Sequence, residues 1–279
     1  MTYREAIDHG EYFLQEHDIS DAKTDAWLLL AMVCKIDRNF YYLHMLEDIT
    51  EEQLTEYESV LKKRAEHIPL QYITGEQEFM GLNFVVNSNV LIPRQDTEVL
   101  VEEALKQIRP GMEVLDLCTG SGCIIISIMK NVPQITATAS DISKQALIVA
   151  KENAKLNEVS IQFECSNLFD NLKGTFDVIV SNPPYIRTEE IAKLMPEVRD
   201  FEPYDALDGK EDGLMFYRQI IEQAKQYLKS DGYLMFEIGY DQGEAVSTLM
   251  KQAGYEDVRV VKDLAGSDRV VTGKGRNYV

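Results

Sequence analysis

From residue 111 onward, short strand-forming runs alternate with helical stretches, and this alternation limits the fold more than any other feature. "EVLDLC" (113–118), "ITATASD" (135–141), "IQFECS" (161–166), "FDVIVSN" (176–182) and "GYLMFEIG" (232–239) read as strands. "SKQALIVAKENAKLN" and "GLMFYRQIIEQAKQYLK" read as helices between them. A strand that follows a helix rejoins the sheet in parallel, by a right-handed crossover. Helices then cover both faces, which predicts an α/β fold with a doubly wound sheet. The tail differs. "YEDVRVVKD", a turn "LAGS" and "DRVVTGK" read as two antiparallel strands closing one edge. The total is seven strands, the last one antiparallel.

The first quarter of the chain reads as a small helical bundle. "REAIDHGEYFLQEH" sets Ala6, Ile7, Gly10, Phe13 and Leu14 on one face. "DAKTDAWLLLAMV" does the same with Ala26, Trp27, Leu29, Leu30 and Val33. "TEEQLTEYESVLKKRAEH" opens with Thr50 and Gln53, a capping-box pair, and carries an apolar stripe of Leu54, Tyr57 and Leu61. Pro69 and Gly75 then break the helical pattern, and "FMGLNFVVNSNVLIP" alternates like a hairpin. The expected organisation is a bundle over 1–70, a linker with a β-hairpin over 71–95, and an α/β domain over 96–279, entered by a helix at about 96–108.

Charge and composition narrow the function. The formal net charge is −19, which repels phosphate backbones and argues against stable binding of nucleic acid. The cluster Lys62, Lys63 and Arg64 reads as a solvated helix face. No stretch approaches the length of a membrane span, and the polar start "MTYREAIDHGEYF" is unlike a secretory leader, so a cytoplasmic protein with no membrane contact is expected. Cys34, Cys118, Cys123 and Cys165 form no Cys-x-x-Cys pair and read as reduced, mostly buried thiols, with no metal site. All four histidines, His9, His17, His44 and His67, precede the α/β part, which must therefore work without a histidine base.

The strand ends carry the chemistry. "VLDLCTGSGCIIISI" is strand, glycine turn and helix, with Gly120 and Gly122 permitting close approach of a ligand. Position 125 is Ile where a dinucleotide fingerprint has its third glycine. The next strand ends in Asp141, placed to accept from ribose hydroxyls or to cap the following helix. Asn167 and Leu168 follow the third strand, suited to an adenine edge and face. In "FDVIVSNPPYI" the strand stops at Pro183 and Pro184, which have no N–H to give, and Asn182 is presented at its carboxyl end. A rim of this kind suits a nucleoside with an amino-acid tail.

These residues carry a resemblance. "LDLCTGSG", "SDIS" and "SNPPY" resemble a class I S-adenosylmethionine-dependent methyltransferase of the branch that methylates planar nitrogens. "VLIPRQDTEVLVEEAL", "ALDGKEDGLMFYRQII", "FEIGYDQGEAV" and "DLAGSDRVV", after a helical N-terminal part, are similar to the HemK/PrmC family, the glutamine methyltransferases of peptide-chain release factors. The likeness spans essentially the whole chain. It implies a Rossmann-like methyltransferase sheet and S-adenosylmethionine bound by Asp116, Cys118, Thr119, Gly120, Ser121, Gly122, Asp141, Asn167, Leu168 and Asn182. It implies a substrate-side set of Asn182, Pro183, Pro184 and Tyr185, with class I release factors as protein substrate, docked by the bundle of a monomer. The family usually has Pro-Glu at Gln95-Asp96, and often Gly at Cys118, Asp at Asn167 and Gly at Lys210.

The side-chain oxygen of Asn182 and the carbonyl of Pro183 can accept the two N–H groups of an amide, and Tyr185 can stack on its plane. Arg94 and Glu237 border the pocket in this reading, with Glu237 equally suited to a structural role. An adenine-amine methyltransferase of DNA or RNA would use the same clamp but needs a phosphate-binding surface. A nucleotide-binding regulatory module or an NAD-dependent oxidoreductase would share the sheet but lacks a reason for Asn-Pro-Pro-Tyr.

Overall fold

The computed structural model describes residues 1–276. They fall into two compact units, Met1–Gly75 with Met195–Phe201, and Glu76–Leu194 with the described residues from Glu202 on. The hairpin expected in a linker belongs to the second unit.

The first unit contains α1 (Tyr3–Gln15), α2 (Ala22–Cys34), α3 (Arg38–His44), α4 (Glu51–Ala65) and α5 (Leu70–Thr74). Thr2 with Glu5 and Thr50 with Gln53 close reciprocal capping boxes at α1 and α4, so the first free N–H groups of both helices are satisfied. Ala6, Leu14, Ala26, Leu29, Leu30, Tyr57 and Leu61 are fully buried together. Each such leucine contributes about 1.5–3 kcal/mol. Gly10 is required by close approach: a Cβ there would lie 2.0 Å from the Tyr57 hydroxyl, which donates to the Ala26 carbonyl at 3.0 Å. Phe13 and Leu54, expected in the core, are only half-buried.

The basic cluster of α4 is also not one solvated face. Lys62 and Lys63 are exposed, but Arg64 is buried. Its Nε donates to Asp25 at 2.6 Å and its Nη2 to Glu197 at 3.0 Å, while His67 Nδ1 lies 3.1 Å from the same Glu197 oxygen. Burial raises the Asp25 carboxyl pKa, with Arg64 opposing. Burial also works to raise that of Glu197, but its own backbone N–H, His67 and Arg64 together hold it low.

The second unit opens with β1 (Glu76–Phe79) and β2 (Leu82–Val85). Met80 and Gly81 between them have φ of 52° and 70°, the pair of left-handed residues that a two-residue hairpin needs. The expected helix at 96–108 is a 3₁₀ turn at Gln95–Thr97 followed by α6 (Glu98–Gln107). Then come β3 (Glu113–Leu117), α7 (Cys123–Asn131), β4 (Thr136–Asp141), α8 (Lys144–Leu156), β5 (Gln162–Cys165) and β6 (Phe176–Ser181). The short helices α9 (Thr188–Ile191), α10 (Pro196–Arg199, in the first unit) and α11 (Tyr204–Leu207) follow. They have no strong apolar period, and sequence reading assigned nothing there. The chain continues through α12 (Met215–Ala224), β7 (Leu228–Glu237), α13 (Gly243–Gln252), β8 (Glu256–Lys262) and β9 (Asp268–Lys274).

The strand order is β5-β4-β3-β6-β7-β9-β8, with β9 antiparallel to both neighbours and the other adjoining pairs parallel. The seven-stranded doubly wound sheet is thus as expected, last strand included. Alternation along the strands makes two cores. Val114, Val178 and Val180 pack with α6 and α7 on one face. Leu115, Leu117 and Ile179 pack with α12 and α13 on the other. The chain order reverses between β3 and β6, and a crevice opens beyond their carboxyl ends.

Candidate active site

β3 delivers the glycine turn. Asp116, fully buried, accepts from Thr119 Oγ1 through Oδ2 at 2.6 Å, and its Oδ1 has no hydrogen-bond partner among the described residues. Cys118 has φ 59°, a left-handed conformation that explains why glycine suits this position. Gly120, at φ 54°, has no atom within 4 Å of where a Cβ would be and lines the crevice. Gly122, at φ 81°, serves packing: its Cβ would lie 3.0 Å from Ile126 and 3.3 Å from Ala150, where α7 meets α8.

Asp141 ends β4. It accepts from Gly120 N–H at 2.9 Å and Ser143 N–H at 2.8 Å, so it knits the glycine turn to the second strand. The cap of α8 is Ser143, whose hydroxyl accepts from Ala146 N–H, and not Asp141. Burial raises the Asp141 pKa against these hydrogen bonds. Beyond β5, Leu168 is buried at φ 47°, while Asn167 is exposed and donates to Asp170 at 3.3 Å.

β6 ends at Ser181, whose hydroxyl donates to the Leu117 carbonyl at 2.8 Å. Asn182 is half-buried, and Pro183 and Pro184 are buried. The following backbone is held from outside: Ile186 N–H donates to Leu207 O at 3.0 Å and Gly209 N–H to Ile186 O at 2.8 Å. Gly209 and Gly213 are needed for that approach, since Cβ atoms there would fall 2.7 Å and 2.4 Å from the Tyr185 backbone. Gly213→Ala adds strain at φ 73° to this clash and should cost about 1–3 kcal/mol, read as a lowered melting temperature.

A cavity of about 780 Å³ runs along this rim. Of the expected residues, Cys118, Thr119, Gly120, Ser121, Asp141, Asn167, Leu168, Asn182 and Pro184 line it. Asp116, Gly122, Pro183 and Tyr185 do not. Asp116 and Gly122 stand behind the turn. Tyr185 packs against the second core, and its hydroxyl donates to Glu237 at 3.3 Å. Sequence reading missed Thr97, Tyr204, Lys210 and Phe216 in the wall: Thr97 and Phe216 lie in or beside helices it did expect, but periodicity does not show that they face a cavity, and Tyr204 and Lys210 come from the irregular segment before α12. It found Arg94, which lines the cavity and is paired with the buried carboxylate of Glu202. Among the described residues, no group of three or more metal-ligating side chains comes together. Cys123 is buried, the other three cysteines are half-buried, and all four are free.

Burial pushes the Asp116 carboxyl up to about 7, against the Thr119 hydrogen bond. Between about 4 and 7 the folded state holds a proton that the unfolded chain releases. Stability should therefore fall as pH rises through that window. Urea unfolding of Asp116→Asn should show a flatter pH dependence than the parent; identical curves would place Asp116 outside this effect.

The fold and this rim define a methyltransferase. A methyltransferase from Pyrococcus furiosus superposes with a TM-score of 0.55 over 77% of this chain and 98% of its own, at 17% identity. Residues 94–197 match the family described as the methyltransferase small domain, and residues 5–75 match the PrmC N-terminal domain. The release factor glutamine methyltransferase of Geobacter sulfurreducens is 40% identical over 274 residues, 98% of this chain and 96% of that protein. That of Clostridium botulinum is 39% identical over the full length of both. The chain belongs to the release factor glutamine methyltransferase family.

Proposed function

We propose that this protein transfers a methyl group from S-adenosylmethionine to the side-chain amide nitrogen of the glutamine in the Gly-Gly-Gln motif of class I release factors. One observation carries the reading. Asn182, at the end of β6, faces the cavity and among the described residues makes no side-chain hydrogen bond to protein, beside buried Pro183 and Pro184. The residues fit the cofactor. Each Asp141 oxygen has one lone pair in use and one left for a ribose hydroxyl. Gly120 leaves open space on the cavity side. When bound, S-adenosylmethionine supplies a methyl carbon already activated on a sulfonium.

The difficulty lies with the nucleophile, because an amide lone pair is delocalised into its carbonyl. Asn182 Oδ1 and the Pro183 carbonyl accept the two N–H groups and aim the nitrogen. Fixed acceptors stabilise the positive charge that develops on nitrogen during transfer. The prolines hold both acceptors stiffly, which lowers the ordering cost of binding. The proton leaves after transfer, to water, and no side-chain base is needed. The first unit docks the release factor, and the acidic balance of the chain favours a basic partner.

Mass spectrometry of a recombinant release factor incubated with the protein and S-adenosylmethionine tests this, with DNA and RNA as parallel substrates. The expected product carries one methyl on the Gly-Gly-Gln glutamine. Methylated adenine with an untouched factor would overturn the substrate. Asp141→Ala should weaken cofactor binding about 100-fold, the loss of charge-assisted hydrogen bonds to two hydroxyls. Unchanged affinity by calorimetry would remove Asp141 from the site.

A further inference from the structure

Tyr185 is held in a cradle behind the cavity wall. Its ring packs against the apolar core beneath α12 and α13. Its hydroxyl donates to Glu237 Oε1 at 3.3 Å, and its carbonyl accepts from Gln242 Nε2 at 2.9 Å. Glu237 is 2% exposed and Gln242 4%. The Gln242 amide is fully used: Nε2 also donates to Gly213 O at 3.3 Å, and Oε1 accepts from Gly239 N–H at 3.0 Å. Among the described residues Glu237 Oε2 has no hydrogen-bond partner, and the Thr97 hydroxyl, the Arg269 charge and the Tyr185 hydroxyl together favour this buried carboxylate against desolvation. Burial, and then the Glu237 charge, raise the Tyr185 pKa, and the phenol stays a donor.

The geometry points to Tyr185 as a latch for the amide clamp: Glu237 and Gln242 grip it from behind, and this grip fixes the Asn182 and Pro183 acceptors three and two residues upstream. Tyr185 and Glu237 are then positioning residues, acting through Asn182. The half-buried Tyr185 ring packs against the second core and does not line the cavity, which favours a supporting role over stacking on the substrate amide. The inference rests on the glutamine-methylation reading.

The two roles separate on one atom. Tyr185→Phe keeps the ring and removes the hydroxyl. Glu237→Met removes the acceptor at similar volume, and Glu237→Gln retains an acceptor oxygen. The full-length variants and Asn182→Ala would be assayed for methylation of a release factor, cofactor affinity by calorimetry, and melting temperature. Tyr185→Phe and Glu237→Met should each lower kcat about 10- to 100-fold, the scale of a misplaced reacting group. Cofactor Kd and the KM for the factor should stay within ~3-fold, and Glu237→Gln should recover most of the rate. The double variant should be no slower than the slower single one, because both remove the same contact. Wild-type kcat in Tyr185→Phe, or losses that multiply in the double variant, would overturn the latch. Full activity in Asn182→Ala would instead overturn the clamp itself. An inactive Asn182→Ala beside a fully active Tyr185→Phe would leave the clamp standing and remove only the latch.

Discussion

Asn182→Ala will lower kcat for methyl transfer by about 10²–10³ while cofactor affinity stays within a few-fold. The side chain projects from the end of β6 into the cavity, and among the described residues no protein group competes for its amide. Truncation removes one of the two acceptors proposed for the target N–H groups and leaves the backbone turn, which Pro183 and Pro184 set independently. The glycine turn and Asp141, on β3 and β4, are untouched, so the cofactor should bind as before. The check is single-turnover methylation measured beside calorimetry. Loss of both properties in a folded variant would make Asn182 a cofactor or structural residue. Retention of both would remove it from the reaction.

Arg64→Ala will destabilise the first unit by about 3–5 kcal/mol, the cost of leaving a buried charge without its partner. The guanidinium serves Asp25 and Glu197, and the side chains of Arg64 and Asp25 are 7% and 6% exposed. Without it, Asp25 must stay charged in an apolar setting or take up a proton. Burial already raises the Asp25 pKa, so the deficit should shrink as pH falls and the carboxyl becomes neutral. Asp25→Asn in the same background should recover part of the loss near neutrality. Urea unfolding at two pH values would show both effects; a change within 1 kcal/mol would mean that water reaches the pair in solution.

Much of this protein is legible locally. The alternation in Val114-Leu115 and in Val178-Ile179-Val180 assigns each residue to one sheet face, because strand side chains point to opposite sides in turn. The capping box at Thr50 and Gln53 is written three residues apart. The proposed clamp, too, rests on local chemistry: prolines without N–H groups end β6 and leave Asn182 at its tip. The glycine turn and Asp141 follow from strand ends that a parallel sheet must gather on one rim.

Other features were decided only when distant segments met. Tyr185 reads from the sequence as a ring that stacks on the substrate amide; in the structure the ring packs against the second core and its hydroxyl donates to Glu237, 52 residues later. Arg64 sits in a run of three basic residues and reads as solvated, yet partners 39 and 133 residues away draw it into the interior. Gly209 and Gly213 look like ordinary loop glycines until the Tyr185 backbone is seen against them. Sequence spacing encodes the periods of helices and strands and the special dihedrals of glycine and proline. Pairing of buried polar groups is set by desolvation, which depends on what surrounds a group in space, and for these residues only the tertiary structure supplies that neighbourhood.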